Sequence, residues 1–199
     1  MKISTISVGP GATNCYIVEE NGDSAFIIDP GDEAEKIYKY IQNKNISISG
    51  IILTHGHFDH IGAVSFLRDK LDITVSVHKL DSPFLLDPSK NLSSMLGDEL
   101  KLEPADHLLA DGEVYNSFKV IVTPGHTPGG ISLYNESEGI LFSGDTIFNN
   151  GYGRTDFPGS DYTTLLTSIK KLLKLPADTV VYPGHGPITT INDFKRYIS

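Results

Sequence analysis

Cysteine, basic charge and long apolar runs are all scarce in this chain, and each scarcity closes a class of explanation. Cys15 is the single cysteine, so no intrachain disulfide can form. It lies in the stretch NCYIVEE, which reads as a strand with a buried, unreactive thiol. Lysine and arginine number 16 against 25 acidic residues, for a net charge of −9, and no basic run offsets the excess. Such a surface repels a phosphate backbone, which argues against a nucleic-acid partner. Divalent cations held in a pocket would reverse the sign locally, so an anionic small substrate stays compatible. No window approaches the roughly 18 apolar residues that a membrane-spanning helix needs. Residues 1–8 carry no long apolar stretch of the secretory kind. The expectation is a cytoplasmic protein without a membrane partner, monomeric or in a small homo-oligomer.

What the chain does contain is an ordinary globular composition, 39% hydrophobic and 21% charged, over 199 residues. That length suits one domain, residues 1–199, whose core needs no covalent staple. Apolar alternation marks strands at 2–8, 15–18 and 25–28, the last two flanking an Asn21-Gly22 turn of the hairpin type. Residues 32–43 carry Ala34, Ile37, Tyr38 and Ile41 at helical spacing, with Asp32 and Glu35 as a capping pair. Residues 46–53 form a strand whose end, Gly50-Ile51-Ile52-Leu53, suits burial on both faces. A helix follows at 59–70, with Ile61, Val64 and Leu67 inward, then a strand at 73–77. Between 79 and 103 the pattern is weak and reads as one helix plus irregular chain.

The second half repeats this logic. It predicts a strand pair or one long strand at 114–122 and short strands at 131–134 and 140–142. A glycine-rich loop at 146–160 leads to an amphipathic helix at 161–173, a strand at 179–182 and a terminal helix at 191–198. Two halves of this kind predict an α/β protein with two sheets and helices outside, its working residues where strands end.

Five of the seven histidines sit in turns after apolar strands. In THGHFDH, His55 and His57 are two apart and can point the same way from extended chain, with Gly56 allowing the bend between them. Asp59 and His60 then open the next helix and point elsewhere. Ligands on both sides of a tight turn suit two metal ions a few ångströms apart. Asp59 seen alone would be a helix N-cap, but four ligand-type residues within six positions point to a metal cluster. TPGHTPGG fixes His126 on a rigid loop, FSGDT places Asp145 at a strand end, and YPGHGP repeats the device with His185. Imidazoles with carboxylates favour zinc, iron or manganese over magnesium or calcium. His78 and His107 lack this context and read as structural or surface residues.

The ordered set His55, His57, Asp59, His60, His126, Asp145 and His185 resembles the metallo-β-lactamase superfamily over nearly the whole chain. The resemblance implies an αβ/βα four-layer sandwich. It implies that His55, His57 and His126 bind one divalent ion, that Asp59, His60 and His185 bind a second, and that Asp145 bridges them. Zinc is the first expectation, with iron or manganese as alternatives. Dizinc β-lactamases typically carry Cys at the Asp145 position and no ligand at the His60 position, so the likeness points away from them. GDTIFNNGYGRTDFPGS and TPGHTPGG instead resemble glyoxalase II-like hydrolases and the related persulfide dioxygenases. The chain ends soon after His185, without the C-terminal helical domain that helps full-length glyoxalase II hold glutathione, so the likeness is to the short glyoxalase II-like proteins. Lactonases of this fold carry Tyr where Phe148 stands here.

The implied chemistry is hydrolysis of an S-(2-hydroxyacyl) thioester, such as S-lactoylglutathione, by water activated between two metal ions. Asp59 would orient that water and take its proton, and Arg154 would hold a substrate carboxylate or else pair with Asp156 or Asp161. The runner-up is an iron-dependent persulfide dioxygenase using His55, His126 and Asp145. A non-catalytic metal-binding scaffold is the alternative of another class.

Overall fold

The computed structural model describes residues 1–20, 24–97 and 99–198. Its first half runs β1 (Lys2–Val8), β2 (Thr13–Glu19), β3 (Ala25–Ile28), α1 (Ala34–Lys44), β4 (Ile48–Ile52), α2 (Phe58–Ile61), α3 (Val64–Leu71), β5 (Thr74–His78), α4 (Ser82–Leu86), a 3-10 turn at Ser93–Leu96 and β6 (His107–Leu109). The second half runs β7 (Val114–Tyr115), β8 (Phe118–Val122), β9 (Ile131–Asn135), β10 (Ile140–Gly144), β11 (Ile147–Phe148), β12 (Gly151–Tyr152), α5 (Tyr162–Leu172), β13 (Val180–Pro183), β14 (Thr189–Thr190) and α6 (Ile191–Tyr197). Among the described residues no helix is long and apolar enough to cross a membrane.

Two six-stranded sheets result, ordered β1-β2-β3-β4-β5-β6 and β14-β13-β10-β9-β8-β7. Strand alternation explains the layers, because successive side chains point to opposite faces. Tyr16, Val18, Phe26, Ile28 and Ile52 of the first sheet meet Phe118, Val120, Leu133 and Phe142 of the second in a shared core. The intervening Ile17, Ile27 and Ile51 face the other way, against Ile37, Ile41 and Leu67 of α1 and α3. Ile121, Leu141 and Val181 likewise turn outward to Leu165, Ile169 and Phe194 of α5 and α6. Three cores separate four layers, helix–sheet–sheet–helix, which is the αβ/βα sandwich that the resemblance implied. Strands β3, β4 and β5 are parallel, as are β10 and β13, so several strand ends gather at one edge. Ile131 N–H donates to Thr54 O (2.8 Å) and Asn14 N–H to Gly184 O (2.8 Å), joining the two sheets there.

Several local expectations need correction. Helix α1 starts after Glu33, which is left-handed (φ 50°), and no side chain caps it. Asp32 Oδ1 instead accepts from the N–H of Glu33 at 2.6 Å, so the Asp32–Glu35 capping pair does not form. The helix expected at 59–70 is broken, because Gly62 N–H and Ala63 N–H donate to Gly31 O (3.0 Å) and Pro30 O (2.9 Å) rather than continuing the helical ladder. Those bonds tie the THGHFDH turn to the end of β3. The loop at 146–160 contains the β11–β12 hairpin. His107 lies on β6 rather than in irregular chain. The Asn21-Gly22 turn lies outside the described residues.

Candidate metal centre

The apolar Ile51-Ile52 end of β4 drives that strand into the core and delivers His55 and His57 at its exit, 2% and 3% exposed. His57 is the residue before α2, and Asp59 and His60 lie on that helix, so the one turn presents donors in two directions. The exits of β8, β10 and β13 bring His126, Asp145 and His185 to the same edge. Donor atoms of His55, His57 and His126 fall within 4.8 Å of one another, and so do those of Asp59, His60 and His185. Asp145 stands between the groups, with Oδ2 3.5 Å from His126 Nε2 and 3.6 Å from His185 Nε2, and Oδ1 3.6 Å from His60 Nε2. The structure thus brings together all seven residues singled out in the sequence.

The outer contacts of the imidazoles fix which nitrogen faces inward. His126 Nδ1 lies 2.8 Å from Arg154 O and His185 Nδ1 3.0 Å from Gly11 O, so each must carry its proton on Nδ1 to donate there. His60 Nδ1 lies 3.0 Å from Asp29 Oδ2 in the same sense. Thr54 Oγ1 donates to Asp29 Oδ2 (2.5 Å), which leaves its oxygen to accept from His55 Nδ1 at 3.2 Å. The Nε2 atoms of four histidines therefore point at the centre, a common arrangement for imidazole ligands. His57 points Nδ1 inward, 2.9 Å from His126 Nε2. Among the described residues, His55 Nε2 and Asp145 Oδ1 are buried without a hydrogen-bond partner. Buried polar atoms left so are costly, and converging lone pairs are satisfied by cations. The donor set fits two divalent metal ions.

Electrostatics separates the two groups. Burial, and then the other imidazoles, push His55 well below the ordinary histidine range. Burial and then His126 lower His57 to about 3. Burial alone would lower His60 as well, but the carboxylates of Asp145, Asp59 and Asp29 overcome it and raise the group to about 10. Burial works against the Asp59 carboxylate too, yet His60 and His185 hold it well below the usual range. The second group demands positive charge; in the first, His55 and His57 offer neutral nitrogen.

Two aspartates act here that the sequence reading passed over. Asp29 supports His60 with one oxygen and receives Thr54 N–H (2.7 Å) with the other. Its signal was available, since it too ends an apolar strand. Asp81 lies in the region of weak pattern and gave none. Fully buried, it accepts from Gly56 N–H (3.0 Å), between His55 and His57, and from Gly129 N–H (2.6 Å), beyond His126. It clamps together the two turns that carry the first group. Burial pushes its carboxyl up to about 6. Gly184 shows how tightly the edge is packed: a Cβ there would stand 2.1 Å from Asp145 Oδ1 and 2.8 Å from the His60 ring.

The remaining candidates lie outside the cluster. Arg154 lines the hollow beside the centre, but its guanidinium pairs in bidentate fashion with Asp156 (2.9 and 2.7 Å) and stacks on Phe157, 4.6 Å from the ring centroid. His78 is buried at the end of β5. His107 stacks on Tyr115 and pairs with Glu113 at 2.7 Å.

The comparisons agree with this geometry. The family model for the metallo-beta-lactamase superfamily matches residues 8–185. The probable metallo-hydrolase YqgX of Bacillus subtilis is 45% identical over 96% of this chain and 93% of its own. Hydroxyacylglutathione hydrolase GloC of Haemophilus influenzae is 36% identical over 98% and 96%. Among solved structures, the B3 metallo-beta-lactamase BLEG-1 superposes with a TM-score of 0.92 at 43% identity, covering 96% of this chain and 95% of that one. TTHA1623 in a di-iron-bound form does so at 0.91 and 38%, covering 98% of each. The fold, the ordered donor residues and these relatives together place the chain in the metallo-beta-lactamase superfamily, to which it belongs.

Proposed function

We propose that the chain is a dinuclear metal-dependent hydrolase of small thioesters, with S-(2-hydroxyacyl) thioesters as its substrates. The observation that carries the reading is the adjacency of the two donor groups with Asp145 between them. His55, His57 and His126 would hold one ion, Asp59, His60 and His185 the other, and Asp145 would bridge. Zinc, iron and manganese all suit these donors, and the di-iron form of a neighbour 38% identical puts iron on an equal footing with zinc. Two such ions supply water acidified toward neutral pH and a polarised carbonyl. The relative named hydroxyacylglutathione hydrolase supports the thioester.

The chain's own groups supply the rest. Asp59 Oδ2 lies 3.3 Å from His185 Nε2 and 3.5 Å from Thr13 Oγ1, and its carboxylate lines the hollow. It is placed to orient the attacking water and accept its proton. The water oxygen bonds to the acyl carbon, the C–S bond breaks, and sulfur leaves as a thiolate that needs no acid. The aromatic rings of Phe148 and Phe157 line the hollow beside this step.

The test is loss of thioester absorbance, without oxygen, by zinc-, iron- and manganese-loaded protein. Both S-D-lactoylglutathione and the S-lactoyl thioester of N-acetylcysteamine are offered. Turnover abolished in Asp145→Ala establishes the hydrolase. No turnover of either compound with any metal sinks it, and oxygen uptake with glutathione persulfide would then support the dioxygenase. A second reading, β-lactam hydrolysis, is favoured by the 43% identity to a B3 metallo-beta-lactamase. Cephalosporin ring opening faster than thioester cleavage would establish it.

A further inference from the structure

The hollow that opens from the metal centre has a volume of about 560 Å³. Beyond the donors, its wall is built from Phe58, Leu92, Met95, Leu96, Phe148 and Phe157. Met95 and Leu96 are 70% and 62% exposed, although the segment bearing them is firmly tied down. Asn91 Nδ2 donates to Phe84 O and Leu100 O (2.9 Å each), and Phe58 N–H donates to Asn91 O at 2.8 Å. A braced segment that holds apolar side chains in water beside a reaction centre suits a ligand that covers them.

Charge narrows the ligand further. Among the described residues lining this hollow the one permanent cation is Arg154, and Asp156 takes both arms of its fork. The next hollow outward shares Phe58 and Leu96, and among the described residues its lining carries Asp32 and Glu99 and no basic residue. A ligand carboxylate leaving the centre in that direction would lose water against phenyl and leucyl groups, then meet two like charges, with the one guanidinium among the described lining residues, that of Arg154, already paired with Asp156.

We infer that the hollow binds the thiol half of the substrate, and that this half is apolar and carries no carboxylate. This rests on the thioester reading above, and it departs from glutathione, which bears two carboxylates. Phe58, Leu92 and Leu96 would pack on the sulfur substituent, while the 2-hydroxyacyl group faces Asp59 and the donors.

Binding decides this inference and hydrolysis decides the reading beneath it. Two non-hydrolysable thioethers are titrated into the metal-loaded protein by calorimetry: the S-(2-hydroxypropyl) derivatives of phenylmethanethiol and of glutathione. The benzyl compound is expected to bind at least about tenfold more tightly. Leu96→Lys, at an exposed position, is expected to erase or reverse that order with metal content unchanged. Equal or tighter binding of the glutathione compound, or binding of neither, overturns the inference. In parallel, the S-lactoyl thioesters of the same two thiols are offered as substrates. Cleavage of either without the binding preference leaves the thioesterase standing and the inference refuted. The preference without any cleavage removes the thioester reading, and the inference falls with it, leaving only an apolar binding hollow.

Discussion

The two donor groups lie side by side and differ in kind. His55, His57 and His126 are all buried and all nitrogen, and His55 and His57 are driven toward the neutral state. Asp59 and His185 are each 26% exposed, and the second group, with Asp29 and Asp145 beside it, is dominated by carboxylates that pull His60 and His185 toward the charged state. His55 and His57 are thus ready for a cation as they stand. The second group already holds a proton on His60, and a cation must displace it. Similar ligand counts can therefore conceal different chemistry of loading.

The largest expected consequence is pH dependence. With the His60 imidazole at about 10, this ring is protonated at neutral pH in the metal-free protein. Binding an ion at the second group must release that proton, so apparent affinity there rises with pH, by about tenfold per unit. Between pH 6 and 9 this amounts to roughly a thousandfold. His57, at about 3, and His55, held well below the ordinary histidine range, have no proton to lose in that range and add nothing to the pH dependence of the first group. Chelator-competition titrations at several pH values check this. Parallel slopes for the two ions would abolish the distinction.

Truncation sharpens the comparison from another side. His126→Ala removes a buried nitrogen that water replaces poorly. The first ion should weaken by at least about 100-fold, the upper end of what loss of a supporting contact usually costs. His185→Ala opens a position already partly in solvent, where water can substitute, and the second ion should weaken nearer tenfold. Metal content after dialysis against graded chelator separates the cases. An equal loss in both variants would mean that burial does not set the difference.

Much of this was legible in the sequence, for a physical reason. Most donors sit just past an apolar strand in a turn with glycine or proline, and both the run and the breaker are local signals: Ile51-Ile52 before His55, Phe142 before Asp145, Tyr182-Pro183 before His185. What stayed hidden depends on contacts between distant segments. The break in the helix at Gly62 is made by acceptors on Gly31 and Pro30. The pairing of Arg154 with Asp156 rather than with a ligand is a matter of side-chain geometry that spacing leaves open. The wall formed by Met95 and Leu96 comes from a segment whose pattern is too weak to place.

Asp81 is the clearest case of the hidden kind, and it bears on only one of the two groups. Its oxygens receive backbone N–H groups from the His55–His57 turn and from the loop after His126, while nothing from the second group touches it. Asp81→Ala would leave two buried donors unpaired, at about 1–3 kcal/mol each. For a chain of this size that lowers the melting temperature by roughly 4–24 °C. The loosened turns should weaken the first ion about tenfold and leave the second within a small factor. Asp81→Asn keeps the shape and one acceptor oxygen, but turns an amide N–H₂ toward the other donor, so it should fall between wild type and alanine. Thermal melts and metal titrations on both variants test this. A loss shared equally by the two ions would show that Asp81 braces the whole edge, and that the two groups are less separable than their electrostatics implies.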